Sequence, residues 1–226
     1  MTEPDVTPPP SETPPSKTLS AALALQNIAL PDEQIALLDQ YCVALWEWNE
    51  KINLTRHTNY DKIAGRDVVD ALAIEKLLEP GERILDVGTG GGMPGVLLAI
   101  VRPDLHVELC DSVAKKAKAV QEIVKQIKLD IPVHSAAAQS LLKGARFDTL
   151  VVRAVAPLTK LLTWFQPHWE EFQRLLIIKG PAWVEERADA RHRNMMTGLQ
   201  LRKVDSYPLA GTDSESVILE IRPKVV

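Results

Sequence analysis

The chain has 226 residues, 46% hydrophobic and 25% charged, with a formal net charge of −4. That length can bury a core in one large α/β domain with a small addition. The acidic balance excludes a protein that coats nucleic acid through bulk charge, but leaves room for a local basic face.

Residues 1–17 contain six prolines and almost no large apolar side chains, and read as a disordered tail. The N-terminus lacks a basic region followed by an apolar core, so no secretory signal is expected, and no apolar run approaches the ~20 residues of a membrane helix. A helical texture begins at Thr18. Ser20–Ile28 is a short helix, and Pro31-Asp32-Glu33 opens a long one, with proline and acids suited to a first turn. In that helix Ile35, Leu38, Cys42, Leu45, Asn49 and Ile52 form one largely apolar face. Trp46 and Trp48 lie off the stripe and are expected to pack on a neighbour. A further helix spans Tyr60 to Leu78 and stops at Pro80-Gly81, so residues 18–80 form a helical subdomain ahead of an 81–226 domain.

After Gly81 the pattern alternates. Strands are expected at Arg83–Val87, Val107–Asp111, Ile131–Ser135, Thr149–Arg153 and Arg174–Lys179, with helices between them, which implies a parallel sheet built from βαβ units. Leu199–Ser206 and Ser216–Arg222 are joined by a connection too short for a parallel crossover, and so predict a terminal antiparallel hairpin. The expected fold is α/β: a Rossmann-like methyltransferase with a mostly parallel seven-stranded sheet.

The most informative stretch is Ile84-Leu-Asp-Val-Gly-Thr-Gly-Gly-Gly-Met-Pro-Gly95, an apolar strand ending in an acid and a glycine-dense turn before the helix Val96–Val101. Such a turn brings backbone N–H groups and a helix N-terminus close to a ligand. Asp111, at the end of the second strand, is placed to accept from ribose hydroxyls. Gly90-x-Gly92-x-x-Gly95 formally matches a dinucleotide fingerprint. Two details favour S-adenosylmethionine over NAD. Asp86 would repel a diphosphate yet suits a methionine ammonium, and Pro94 removes one N–H donor. Ser135–Gln139 supplies small residues through which backbone could approach an adenine.

Arg153 ends the fourth strand before Ala-Val-Ala-Pro. Arginine is rarely buried unpaired, so it holds a substrate phosphate or base edge, or pairs with a carboxylate of cofactor or protein. No Asn/Asp-Pro-Pro-aromatic run and no cysteine nucleophile occurs there. A target needing no activation, such as guanine N7, fits those absences. Lys115, Lys116 and Lys118 begin four residues after Asp111, where phosphate contact is reasonable beside the alternative of a solvated helix face. The five histidines, His57 among them, show no metal spacing and receive no role. Cys42 and Cys110 read as buried thiols of a reducing cytosol, and no metal is expected.

From about Leu30 to the C-terminus the chain resembles the bacterial 16S ribosomal RNA guanine-N7 methyltransferases, the glucose-inhibited division protein B (GidB) family. The resemblance rests on Trp48-Asn49-x-x-Ile52-Asn53-Leu54-Thr55, the glycine turn with its Pro94-Gly95, Val101-Arg102-Pro103, Asp111-Ser112-x-x-Lys115-Lys116, Phe147-Asp148, Val152-Arg153-Ala154 and Lys179-Gly180. It implies S-adenosylmethionine bound by Asp86, Gly88, Gly90, Met93, Asp111, Ala137, Ala138 and Arg153. Arg153 would be catalytic, and Arg66, Lys115, Lys116 and Lys179 would contact RNA. The implied partner is 16S ribosomal RNA or a small-subunit precursor, met by a cytoplasmic monomer. Four positions depart from the family pattern: Asp67 stands where histidine is usual, Ala71 for serine, Ala136 for arginine and Val152 for serine. Those departures keep open a family member acting on another RNA or a small molecule, and a non-catalytic RNA-binding or assembly factor that retains the pocket.

Overall fold

Near-continuous burial along the central strands, with successive side chains on opposite faces, sets the architecture. In the computed structural model, which describes residues 14–209 and 214–224, β1 (Arg83–Val87) sends Ile84 to one face and Leu85 and Val87 to the other. Along β4 (Phe147–Arg153), Val151 faces the first side and Leu150 and Val152 the second. In β5 (Phe172–Lys179), Leu176 and Ile178 alternate with Leu175 and Ile177 in the same way. A strand apolar on both faces must be covered on both, which requires three layers.

With β2 (His106–Cys110), β3 (Val133–His134), β6 (Leu199–Pro208) and β7 (Glu215–Pro223), the sheet has seven strands in the order β3-β2-β1-β4-β5-β7-β6. β1 to β5 run parallel, whereas β7 pairs antiparallel with β5 and β6 with β7. This is the expected layout; β1 keeps its expected bounds and the other strand ends move by at most two residues. The order reverses between β1 and β4, the switch point where ligands of such sheets sit.

One face is covered by α1 (Leu19–Leu25), α2 (Asp32–Asn49), α3 (Tyr60–Lys62) continuing through a π-helical segment (Ile63–Val68) into α4 (Val69–Glu75), then α5 (Gly95–Val101) and α6 (Ala114–Gln126). The other is covered by α7 (Ala138–Leu142), α8 (Leu158–Phe165) and α9 (Trp183–His192). One apolar cluster runs from Leu19, Leu38 and Leu45 to Ile84, Val151 and Leu176, so the N-terminal helices and the sheet share a core. Trp46 stacks edge-on against Tyr60 at 5.0 Å, the packing its position off the stripe predicts. The single helix expected over Tyr60–Leu78 is interrupted by the π-helical turn, a form frequent at functional sites. Most of the proline-rich tail and residues 210–213 lie outside the described residues. Among those described, no helix is long and apolar enough to cross a membrane, and no group of three or more His, Cys, Asp or Glu could hold a metal ion.

Candidate active site

The turn after β1 is built by two carboxylates and an absent side chain. Asp111 accepts Gly90 N–H at 3.0 Å and Val113 N–H at 2.8 Å, which ties the turn to the entry of α6. Gly88 has φ +69°, and a Cβ there would lie 2.6 Å from Val155 Cγ2. Only glycine satisfies both constraints. Gly88 borders two cavities. The smaller, about 250 Å³, is lined by Val87, Ala137, Ala138, Val155 and Trp164. The larger, about 620 Å³, runs past Gly90, Met93, His57, Arg66, Lys116 and Arg153.

Asp86 is placed differently from the expectation. Its carboxylate is 1% exposed, lies beneath the turn rather than against the cleft, and accepts Thr89 Oγ1–H at 2.6 Å and Gly95 N–H at 2.9 Å. A side chain on Gly95 would meet Leu109 and Asp86, which closes that direction. Asp86 therefore holds the turn from beneath, and its buried side chain lines neither cavity. Burial pushes its pKa up from 3.8 to about 6, opposed by the bonds from Thr89 and Gly95; Oδ1 is buried without a partner. Because the folded value lies above the unfolded one, the folded state holds its proton longer. This group therefore favours folding most below pH 4, and that contribution is lost as pH rises through about 6. Asp86→Asn should flatten the slope and add about 2–3 kcal/mol at pH 7, at about 1.4 kcal/mol per unit. Its affinity for S-adenosylhomocysteine should be unchanged. Urea titrations at pH 4, 5, 6 and 7 with calorimetry check both, and lost binding would return Asp86 to the ligand.

The N-terminal helices supply the opposite wall. Asn49 Oδ1 accepts the N–H groups of Leu54 and Thr55 at 2.8 and 2.9 Å, and Trp46 Nε1–H donates to the His57 carbonyl at 2.8 Å. Tyr41 donates its hydroxyl to Gly91 O at 2.8 Å. The Trp-Asn-x-x-x-Asn-Leu-Thr run thus folds a pinned loop over the glycine turn. A groove of about 550 Å³ leads outward along it between Arg56 and Lys116.

Arg153 closes the cleft at the end of β4. Its Nη1–H groups donate to Asp67 Oδ1 at 2.5 Å and Asp70 Oδ2 at 3.0 Å, so it pairs with protein carboxylates while still lining the cleft. Burial works against its charge, but the two aspartates outweigh that and raise its pKa above the ordinary arginine value. The next residue, Ala154, has φ 54°, a left-handed strain of the kind stored at functional sites. Arg66 lines the cleft with Nε 3.4 Å from Asp70. Lys116 lines it too, and Lys115 is exposed one residue before. Lys179 does not join them: its Nζ donates to Ala156 O and to Glu186, each at 2.7 Å, and its side chain is 10% exposed. Glu186 also accepts Leu158 N–H at the start of α8, so Lys179 braces the chain after β4 and is unavailable to RNA.

Sequence reasoning gives no role to His57, Asp70, Trp164 or Tyr207. Only Asp70 had a signal, lying between Asp67 and Ala71, two positions that depart from the family pattern. His57 and Trp164 come to the cavities, and Tyr207 to Asp70, from separate elements by folding alone.

A glycine turn at the switch point of a mostly parallel seven-stranded sheet, with an acid ending the neighbouring strand, defines the Rossmann-like class I methyltransferase fold. Solved structures agree on the fold. M. capricolum TrmK in complex with S-adenosyl-homocysteine aligns with TM-score 0.53 at 14% identity, covering 69% of this chain and 68% of that one. The magnesium protoporphyrin IX methyltransferase of Synechocystis, with bound S-adenosylmethionine, aligns with TM-score 0.54 at 17% identity, covering 87% and 99%. The family is narrower. The model of GidB, rRNA small subunit methyltransferase G, matches residues 34–213, and the chain belongs to that family. The ribosomal RNA small subunit methyltransferase G of Rhodopirellula baltica is 47% identical over 194 residues, covering 85% of this chain and 84% of its own. The protein of the same name from Cronobacter sakazakii is 32% identical over 200 residues, covering 88% and 93%.

Proposed function

We propose that this protein transfers a methyl group from S-adenosylmethionine to guanine N7 in 16S ribosomal RNA, on the small ribosomal subunit or its precursor, as a cytoplasmic monomer. The observation that carries this reading is the pair of cavities meeting at Gly88 beside Arg153, in a chain of this family. The cradle at Gly88, where any Cβ would meet Val155, fits a ligand that bends across the turn.

Ala137 and Ala138 would receive the adenine, with Val155 and Trp164 as walls. Asp111 keeps a second lone pair on each oxygen for the ribose. Gly88, Gly90 and Met93 would flank the methionine portion. When bound, the cofactor supplies a sulfonium methyl whose departure leaves a neutral thioether. Guanine N7 carries no proton at neutral pH, so the protein needs no base. Its task is to orient the acceptor, exclude water and set the local field.

Arg66, Lys115, Lys116 and Arg56 would meet phosphates around the entering base. Lys115→Ala with Lys116→Ala should weaken RNA binding and reduce the salt slope by roughly 0.7–0.9 per lost phosphate contact. Affinity for an rRNA fragment measured from 50 to 300 mM salt checks this, and an unchanged slope assigns both lysines to a solvated helix face. The reaction itself is tested by mass mapping of modified guanines in 16S rRNA with and without the gene. Loss of one N7-methylguanine on deletion supports the reading; an unaltered map sinks it.

A further inference from the structure

Asp67 and Asp70 are both fully buried, three residues apart where the π-helical segment passes into α4, and both face Arg153. All four of their oxygens are satisfied. Asp67 Oδ1 accepts from Arg153 Nη1 at 2.5 Å and its Oδ2 meets His57 Nδ1 at 2.6 Å. A carboxylate can only accept, so His57 carries its proton on Nδ1. Asp70 Oδ2 accepts from Arg153 Nη1 at 3.0 Å, with Arg66 Nε at 3.4 Å, and its Oδ1 accepts the Tyr207 hydroxyl at 2.7 Å. These groups come from the pinned loop, the π-helical segment, α4, β4 and β6. A polar network in which both buried carboxylates are fully satisfied fixes geometry more firmly than any one bond.

Both bonds from the guanidinium use Nη1. Its Nε–H and Nη2–H₂ groups have no partner among the described residues, in a side chain that lines the cleft. Charge balance follows the same design. A reacting centre that begins as a sulfonium and ends as a methylated guanine is positive throughout, and a bare guanidinium beside it would repel it. Asp67 and Asp70 offset the charges of Arg153 and Arg66.

We propose that Asp67 and Asp70 are positioning residues that act through Arg153, holding it by Nη1, leaving its other donors to the acceptor base and cancelling its charge at the reacting centre. His57 and Tyr207 fix the two carboxylates from either side. This rests on the proposed methyl transfer at this cleft. It also gives Asp67 a task of its own here.

The test compares wild type with Asp67→Asn by calorimetry with S-adenosylhomocysteine, by affinity for a 16S rRNA fragment, and by steady-state methylation. We expect kcat to fall about 10–100-fold, the range for disturbing an oriented donor. Cofactor-product affinity should stay within about twofold, and RNA affinity should be unchanged or tighter as the Arg153 charge is uncovered. In an Arg153→Gln background Asp67→Asn should lower kcat by less than about threefold more, because a residue acting through another shows no separate loss. The Arg153 Nε–H resonance should be sharp in wild type and broaden in Asp67→Asn. Independent, multiplying losses would overturn the proposal, as would weakened S-adenosylhomocysteine binding with kcat retained. If Asp67→Asn does not fold, His57→Gln tests the same network from its exposed side. It should lower kcat about 3–10-fold without weakening cofactor-product binding, and unchanged kcat overturns the proposal. A wild-type protein that binds S-adenosylhomocysteine but methylates no rRNA defeats the proposed function instead.

Discussion

Replacing Arg153 by alanine should lower methyl transfer by about 10²–10³-fold, the usual loss on removing one aligned donor from a transition state. Calorimetry should still detect S-adenosylhomocysteine, since the described walls of the smaller cavity do not include Arg153. The same substitution should destabilise the fold. Asp67 and Asp70 would remain fully buried with one strong cation removed, and breaking a buried pair costs about 3–5 kcal/mol. The lower end is expected, because the Arg153 side chain is 20% exposed and Arg66 stands 3.4 Å from Asp70. Arg153→Lys should recover much of the stability in urea unfolding but little of the activity, because an ammonium replaces the charge and not the planar fork. An active Arg153→Ala protein would reduce this arginine to a structural ion pair.

Gly88→Ala should act on the cofactor rather than on the acceptor. The backbone at Gly88 is left-handed, which costs a residue with a side chain about 1 kcal/mol. The larger penalty is spatial: the new methyl would lie 2.6 Å from Val155 Cγ2, and valine is stiff about χ1. Val155 also lines the smaller cavity. Pushing it aside narrows the space for the adenine, and we expect at least about a 30-fold loss of S-adenosylhomocysteine affinity, near 2 kcal/mol. Val155→Ala combined with Gly88→Ala should restore most of that affinity while the backbone strain remains. Calorimetry on the two variants decides it. Undiminished binding by Gly88→Ala alone would place the cofactor away from the seam between the cavities.

The elements were legible because their signals are local. Apolar strands alternating with helical stretches dictate a parallel sheet covered on both faces, and the short polar link after Pro208 dictates the antiparallel hairpin. The glycine turn was equally plain, since φ near +69° at Gly88 and the close packing at Gly95 admit little else. Chemistry at the ends of strands was harder. Sequence places Asp86 at the end of β1 but not the way its carboxylate points, which is decided by Thr89 Oγ1 and Gly95 N–H. It places Lys179 at the end of β5 but not the Glu186 and Ala156 oxygens that capture it.

By itself, then, the sequence determined the sheet, the helices that cover it, the cofactor turn and the position of Arg153, because each follows from periodicity or from a backbone constraint within a few residues. Only the tertiary structure decided what surrounds that arginine. His57, Asp67, Asp70 and Tyr207 lie up to 150 positions apart in the chain, from 57 to 207. No local pattern links the pair of aspartates to His57 or to Tyr207. Their pairing follows from closing the N-terminal helices and the C-terminal hairpin over one end of the sheet, where a buried cation must find carboxylates wherever the fold delivers them.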